Sequence, residues 1–163
     1  HPDLLRKRNG ELKIFDEGVK NEKELISRIR VLAKTQGTKI FFVDHIGLVR
    51  HSNPSMKRVE QLDDITQKLL HIAQELNVTI ICLCQLRRDA EGKKPCLNDL
   101  KDSGAIEQNA DICMFLHRDR AEGEELFIPA EIIVIKDRDG ACGTAEMDFY
   151  PKMTKFVESK VIA

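Results

Sequence analysis

The sequence lacks most features that would name a function directly. Among 163 residues there is no tryptophan, one tyrosine and nine glycines, and those glycines form no G-x-x-x-x-G-K-[ST] phosphate-binding motif. Neither charge sign dominates, because 26 lysines and arginines face 27 aspartates and glutamates. Bulk charge therefore indicates no nucleic-acid partner, although a local basic patch remains compatible with it. The apolar runs are too short to cross a membrane, and no secretory leader pattern is visible.

The cysteines follow no metal-binding or disulfide pattern. They are odd in number and include no C-x-x-C pair; they are Cys82, Cys84, Cys96, Cys113 and Cys142. Most lie in or beside apolar segments, where cysteine behaves as a small hydrophobic residue. We therefore expect a reduced, cytoplasmic protein without structural zinc and without membrane contact.

Strands and helices alternate in the first half of the chain. Residues 12–16 (LKIFD) read as a short strand, and an apolar stripe between the helix cap Asn21 and the stop signal Gly37 predicts an amphipathic helix. Residues 39–43 (KIFFV) predict a second strand, and a second amphipathic helix follows at about 58–76. This order predicts parallel β-α-β units with helices covering the sheet.

The second half is richer in strands. Residues 78–84 (VTIICLC) lack polar alternation, which predicts a strand buried on both faces. Further strands are expected at 111–116 and 130–135, and a terminal hairpin at 143–150 and 154–157. The expected class is α/β: a mostly parallel sheet flanked by helices, with antiparallel strands at the C-terminal edge.

Polar residues follow two of the apolar strands. In an open α/β sheet, ligands bind beyond the carboxyl ends of the strands, where Asp44 and Gln85 both lie. If these strands are neighbours, the carboxylate is suited to hydrated Mg²⁺. The amide is suited to sensing a terminal phosphate or orienting water. The alternative is that Asp44 caps a turn and Gln85 satisfies a strand end, and spacing alone leaves both open.

Two cations lie at the end of a later strand. Lys136 and Arg138 are two residues apart, so both face the same way and both can reach one anion. Arginine suits a phosphate through its planar fork, and lysine adds a point charge. A solvated strand end with mixed charges is the alternative.

The long polar segment at 87–110 is too long for an ordinary loop in a compact domain. Within it, Lys101, Ser103 and Gly104 are suited to contacts with a phosphate backbone. Residues 99–108 contain no aromatic side chain, so base stacking is not expected. An ordinary turn leading into a short helix is the alternative.

Taken in order, these segments resemble the ATPase domain of replicative DNA helicases of the DnaB family, from about residue 12 to residue 157. FFVDHIGLV is similar to the family's Walker B strand, and LNVTIICLCQLRR to the strand whose glutamine reads the γ-phosphate. LNDLKDSGAIEQNADICMFLHRD resembles the DNA-binding loop and the next core strand, and IIVIKDRDGACGT resembles the K-x-R-x-G segment with the arginine finger.

The resemblance implies a role for each candidate residue. Asp44 would hold the metal, Gln85 would read the γ-phosphate, and two cations would reach the nucleotide of the neighbouring subunit: Lys136 and Arg138. Arg118 would lie near the nucleotide. The residues expected to hold the backbone of single-stranded DNA are Lys101, Asp102 and Gly104.

The resemblance also implies an organisation. Residues 1–163 would be a single domain, the C-terminal portion of a RecA-like ATPase domain, with the phosphate loop and the water-activating glutamate upstream of His1. Such a fragment alone should not hydrolyse ATP at a useful rate. The complete protein would be a homo-hexameric, ATP- and Mg²⁺-dependent helicase that translocates on single-stranded DNA, with a primase and a helicase loader as partners.

The sequence departs from the family pattern at two places. His-Ile-Gly follows Asp44 where an aromatic, an aliphatic and a polar residue are usual, and Lys101 with Asp102 replaces an Arg-Glu pair. Two other readings stay open. One is a different RecA-like ATPase of the recombinase or repair type; the other is a non-catalytic, helicase-like interaction module.

Overall fold

A computed structural model describes residues 12–86, 93–99, 103–118 and 125–159 of the chain. Its helices and strands, in chain order, are α1 (Glu22–Gln36), β1 (Ile40–Val43), α2 (Arg58–Leu76), β2 (Thr79–Cys82), α3 (Ser103–Asn109), β3 (Ile112–Arg118), β4 (Ile128–Asp137), β5 (Gly143–Tyr150) and β6 (Lys155–Glu158). Single 3₁₀ turns follow β1 and β5 and precede α3.

Local capping chemistry sets the ends of the two long helices. The Asn21 side chain accepts hydrogen bonds from the backbone N–H groups of Lys23 and Glu24, which satisfies donors that α1 itself leaves free. Gly37 ends α1 with φ at 67°, and Asn77 ends α2 with φ at 50°. Both predicted helices are therefore confirmed. Within the described ranges, no helix is long and apolar enough to span a membrane.

The strands form two groups. β1 and β2 pair in parallel, with Ile40 opposite Thr79 and Val43 opposite Cys82. The other four pair antiparallel in the order β3-β4-β5-β6, which confirms the terminal hairpin. The α/β class is confirmed, and within the described residues parallel pairing is confined to β1 and β2.

The predicted strand at residues 12–16 is wrong. This segment pairs with no described strand and runs along α1, where Lys13 hydrogen-bonds Gln36 and the Phe15 ring lies 5.2 Å beneath the guanidinium of Arg28. Its apolar composition is typical of a strand, but no partner edge is available to it among the described residues.

The main core lies between the β1–β2 pair and the two long helices. Its buried members come from α1, β1, the turn after β1 and α2: Ile29, Val43, Ile46, Val49, Leu62, Ile65, Leu69 and Ile72. A smaller cluster joins the two strand groups, since Cys84 and Leu86 pack against Phe115 of β3 and Ile133 of β4.

The opposite face of the strands is covered by no segment that the structure describes. Its exposed apolar side chains alternate with the buried ones on β1, β2 and β3. They are Ile40, Phe42, Ile81, Leu83, Ile112, Met114 and Leu116. The prediction that β2 is buried on both faces is therefore wrong for the part of the chain described, because helices cover only one side of it.

A buried polar network fixes the loop after β1. Glu22 has no exposed surface, and its carboxylate accepts hydrogen bonds from the N–H and the hydroxyl of Ser52, both at 2.7 Å. His51 bonds Asp64 at 2.8 Å, and Lys68 pairs with Asp64. Burial raises the pKa of Glu22, but the Ser52 hydrogen bonds and the nearby His51 outweigh it, so that the pKa lies below its ordinary value.

Replacing Glu22 by glutamine should lower the free energy of unfolding by about 1–3 kcal/mol at pH 7, because it weakens the hydrogen bonds that the buried carboxylate accepts from Ser52. The lowered pKa means that the carboxylate stabilises the fold above its unfolded pKa and loses that effect as pH falls through the folded value. Urea unfolding from pH 7 down to about pH 3 should show the gap between wild type and variant narrowing. The exposed Glu17→Gln is the control; a gap independent of pH would contradict the assignment.

Candidate functional site

Two predicted site residues lie at the carboxyl ends of neighbouring parallel strands. Asp44 directly follows β1, and Gln85 lies just beyond β2. The pairing extends past the strands, because the N–H of Leu83 donates to the carbonyl of Val43 and the N–H of Ile46 donates to the carbonyl of Leu83, both at 3.0 Å. The two strands are therefore neighbours, which is the condition for the two side chains to share one crevice.

Asp44 and Gln85 are exposed, as are the apolar residues Phe42 and Leu83 two positions earlier on each strand. Neither polar side chain hydrogen-bonds or forms an ion pair with any described residue. Turn capping by Asp44 requires such a bond, so the described contacts do not support that alternative. The carboxylate and the amide are both available to a ligand.

A pocket of about 140 Å³ adjoins Gln85 on the helix side. Its lining includes His45, Gly47, Arg58 and Ile106. The buried Nδ1 of His45 has no partner within the described chain, and a Cβ on Gly47 would lie 2.9 Å from it. A side chain at position 47 would have to displace the imidazole of His45, which lies directly against the Gly47 backbone.

Sequence reasoning missed Arg58. Its guanidinium donates to the carbonyls of Gly47 at 2.8 Å and Val49 at 3.1 Å, which ties the first turn of α2 to the turn that follows Asp44. Nothing in the local pattern distinguishes this arginine from a solvated one at a helix start, because its partners are carbonyls of another segment.

Lys136 and Arg138 both contact the segment that links α3 to β3, but they bond different groups there. The Lys136 ammonium donates to the carbonyls of Glu107 at 2.6 Å and Gln108 at 3.4 Å, at the end of α3. The Arg138 guanidinium pairs with Asp111 at 2.6 Å. In this chain Lys136 is half-buried against a helix end, whereas Arg138 keeps about half of its side chain exposed.

The predicted DNA-contact residues are described only in part. Lys101 and Asp102 lie outside the described residues. Gly104 is exposed in α3, where an added Cβ would meet nothing within 4 Å, so a side chain would fit there in this structure. The short helix expected in this segment is α3, and its presence is compatible with both interpretations. Asn109 anchors it to α2 by donating to Asp63 at 3.0 Å and to Thr66 at 2.8 Å.

Arg118, at the end of β3, has a contact of its own. Its guanidinium lies 4.8 Å above the ring of Phe149 on β5. Such stacking orients the guanidinium plane and stabilises it modestly. The described contacts therefore give Arg118 a position on the antiparallel sheet and no contact with the residues around Asp44.

Comparison with known proteins gives a consistent result. The family model for the DnaB-like helicase C-terminal domain matches residues 4–158. The chain is 44% identical over 128 residues to the replicative DNA helicase DnaB of Treponema pallidum (strain Nichols), covering 78% of this chain and 28% of that protein. It is 37% identical over 157 residues to the replicative DNA helicase DnaB of Rickettsia felis, covering 80% of this chain and 32% of that protein.

Solved structures agree. The chain is similar to a DnaB-like replicative helicase studied with its primase interactions, at a TM-score of 0.79 and 32% identity, over 91% of this chain and 37% of that one. An ATPase domain matches at a TM-score of 0.81 and 31% identity, over 93% of this chain and 56% of that one. The chain thus spans about a third of the curated relatives' length, and RecA-like ATPase domains share its fold.

The contrast between the two cations can be measured on the chain itself. Replacing Lys136 by methionine should lower the free energy of unfolding by about 1 kcal/mol, because two helix-end carbonyls lose their donor. Replacing Arg138 by alanine should change it by less than about 0.5 kcal/mol, because a half-exposed ion pair contributes little. Urea unfolding compares the two variants. Equal losses would contradict the different burial of the two side chains.

Proposed function

The chain belongs to the DnaB-like helicase C-terminal domain family, and we propose that in the complete protein it is part of an ATP-dependent, hexameric helicase that unwinds duplex DNA while translocating on single-stranded DNA. One observation carries this proposal. Asp44 and Gln85 lie at the ends of two hydrogen-bonded parallel strands and are exposed, and their side chains have no partner among the described residues. Both groups are free to meet a nucleotide.

Asp44 would hold Mg²⁺ and Gln85 would face the terminal phosphate. An exposed carboxylate that pairs with no cation among the described residues fits a hard metal ion that keeps several waters. The bound metal would supply charge neutralisation at the phosphates. The Gln85 amide both donates and accepts, so it can contact a phosphate oxygen and orient a water molecule at the same time.

Arg138 would act on the nucleotide bound by the neighbouring subunit. Its side chain is half exposed, and its planar guanidinium has five N–H donors. Asp111 contacts only one of its nitrogens, Nη1. Lys136 would reach the same phosphate only after leaving the carbonyls of Glu107 and Gln108. We therefore assign Arg138 as the principal cation acting in trans and Lys136 as a second one.

Lys101, Asp102 and Gly104 would contact the DNA backbone without reading its sequence. The helix α3, which contains Gly104, is bonded to α2 through Asn109 and to β4 through Lys136. A displacement of the DNA-contacting segment would therefore be transmitted to the strand that carries Arg138. A chain with balanced total charge fits a ring in which only the central channel meets DNA.

The ring implies further partners. The relatives are replicative helicases, and one structural neighbour was studied with primase, so we propose a primase and a helicase loader as partners. The uncovered apolar face of β1, β2 and β3 would pack against the rest of the ATPase domain, because strands of such domains are covered on both sides.

Subunit mixing tests the trans assignment. In the complete protein, Asp44→Asn and Arg138→Ala should each lower ATP turnover by about 10³-fold or more while nucleotide binding is largely kept. Rings assembled from a mixture of Asp44→Asn and Arg138→Ala subunits should recover part of the activity, because some of their interfaces pair an intact Asp44 with an intact Arg138. The exposed Arg50→Ala should behave as wild type. No recovery at any ratio would contradict action in trans, and full activity of Arg138→Ala would favour a non-catalytic module.

The DNA assignment has its own test. Lys101→Ala should weaken single-stranded DNA binding similarly for all sequences and reduce the slope of log affinity against log salt by about 1, because one phosphate contact is lost. Fluorescence anisotropy over a salt series measures both quantities. The control is Lys34→Ala, on the last turn of α1. A loss confined to particular sequences would contradict a backbone contact.

A further inference from the structure

The guanidinium of Arg138 is paired rather than free. Its Nη1 lies 2.6 Å from an oxygen of Asp111, and the backbone N–H of Arg138 donates to the carbonyl of Asp111 at 3.0 Å. Since Ile112 is paired with Asp137, this bond extends the β3–β4 ladder by one position and sets Asp111 directly opposite Arg138. Cross-strand pairs of opposite charge in this register stabilise each other's side-chain positions.

Several hydrogen bonds of neighbouring residues hold the backbone around Asp111. Asn109, two residues earlier, bonds Asp63 and Thr66 of α2, and the N–H of Ala110 donates to the carbonyl of Ile106. Lys136 fixes the same segment from the strand side. The backbone that carries Asp111 is therefore held relative to both α2 and β4.

Two other aspartates near Arg138 do not contact it. Asp137 accepts the N–H of Asp139 at 3.2 Å, and its carboxylate lies where a side chain on Gly140 would be, with 2.3 Å between one of its oxygens and an added Cβ. Asp139 is exposed and forms no ion pair with a described residue. The pairing with Asp111 is thus selective among three nearby carboxylates.

We propose that Asp111 is a positioning residue for Arg138: it holds one edge of the guanidinium, so that the remaining N–H groups point outward toward the phosphate of the neighbouring subunit. This inference rests on the proposed function of Arg138. A half-exposed ion pair adds little to the stability of the fold, so the pair orients the guanidinium without fixing it in one place. Orientation matters because a misplacement of about 1 Å can cost up to about 100-fold in rate.

The test uses the complete protein with ATP and single-stranded DNA. Asp111→Asn should lower kcat for ATP hydrolysis about tenfold and leave KM for ATP within about twofold, since misorientation of Arg138 affects the transition state more than ground-state binding. Asp111→Glu should recover part of kcat, and Asp139→Asn is the matched control that should behave as wild type. An unchanged or increased kcat in Asp111→Asn would overturn the inference.

A double-mutant cycle separates positioning from structure. In the Arg138→Ala background, Asp111→Asn should have no further effect on kcat if it acts only through the guanidinium. An additional tenfold loss there would overturn the inference, as would a drop in unfolding free energy that accounts for the loss of activity. If Arg138→Ala itself keeps full turnover, the proposed function fails. If Arg138→Ala is inactive and Asp111→Asn is fully active, only the positioning role fails.

Discussion

β1 and β2 pair in parallel over four residues, and the rest of the site depends on this short ladder. A parallel pair requires a crossover, which α2 supplies, and α2 in turn buries the apolar side of both strands. Because both strands run the same way, their carboxyl ends lie at one edge and bring Asp44 and Gln85 there together. A shift of one residue would turn Gln85 toward the helices and Cys84 toward solvent, so the core that fixes the register also fixes the site.

The arrangement of α3, β3 and β4 depends on the short segment between α3 and β3. Three contacts hold this segment: Asn109 bonds α2, Lys136 of β4 bonds the end of α3, and Asp111 pairs with Arg138. Individually these polar contacts are weak, but together they fix the position of α3 relative to β4 and Arg138. A contiguous arrangement of this kind can carry coupling between two sites.

Local chemistry explains what the sequence predicted well. Asn21 and Gly37 act on backbone groups a few residues away, so the local sequence alone predicts where α1 begins and ends. The strand ends before Asp44 and Gln85 are visible in the same way, because each apolar run stops there. The bonds of Lys136 and the ion pair of Arg138 were not predicted, because their partners lie more than twenty residues away and come together only in the folded ladder. The strand predicted at 12–16 is absent because a strand also needs a partner edge. The apolar residues of this segment favour an extended chain, but they do not show whether such an edge exists.

The uncovered face of β1, β2 and β3 connects packing with chemistry. Phe42 and Met114 expose 64% and 58% of their surface, and Asp44 lies at the margin of the same face. Covering these side chains would stabilise the domain by about 25 cal/mol for each Å² removed from water. In the proposed helicase the same covering would exclude water from the neighbourhood of Asp44 and Gln85, where a lower local dielectric strengthens every contact to a phosphate. The apolar residues that need a partner and the polar residues that need a dry site therefore share one surface, so completing the fold and completing the active site would be a single event.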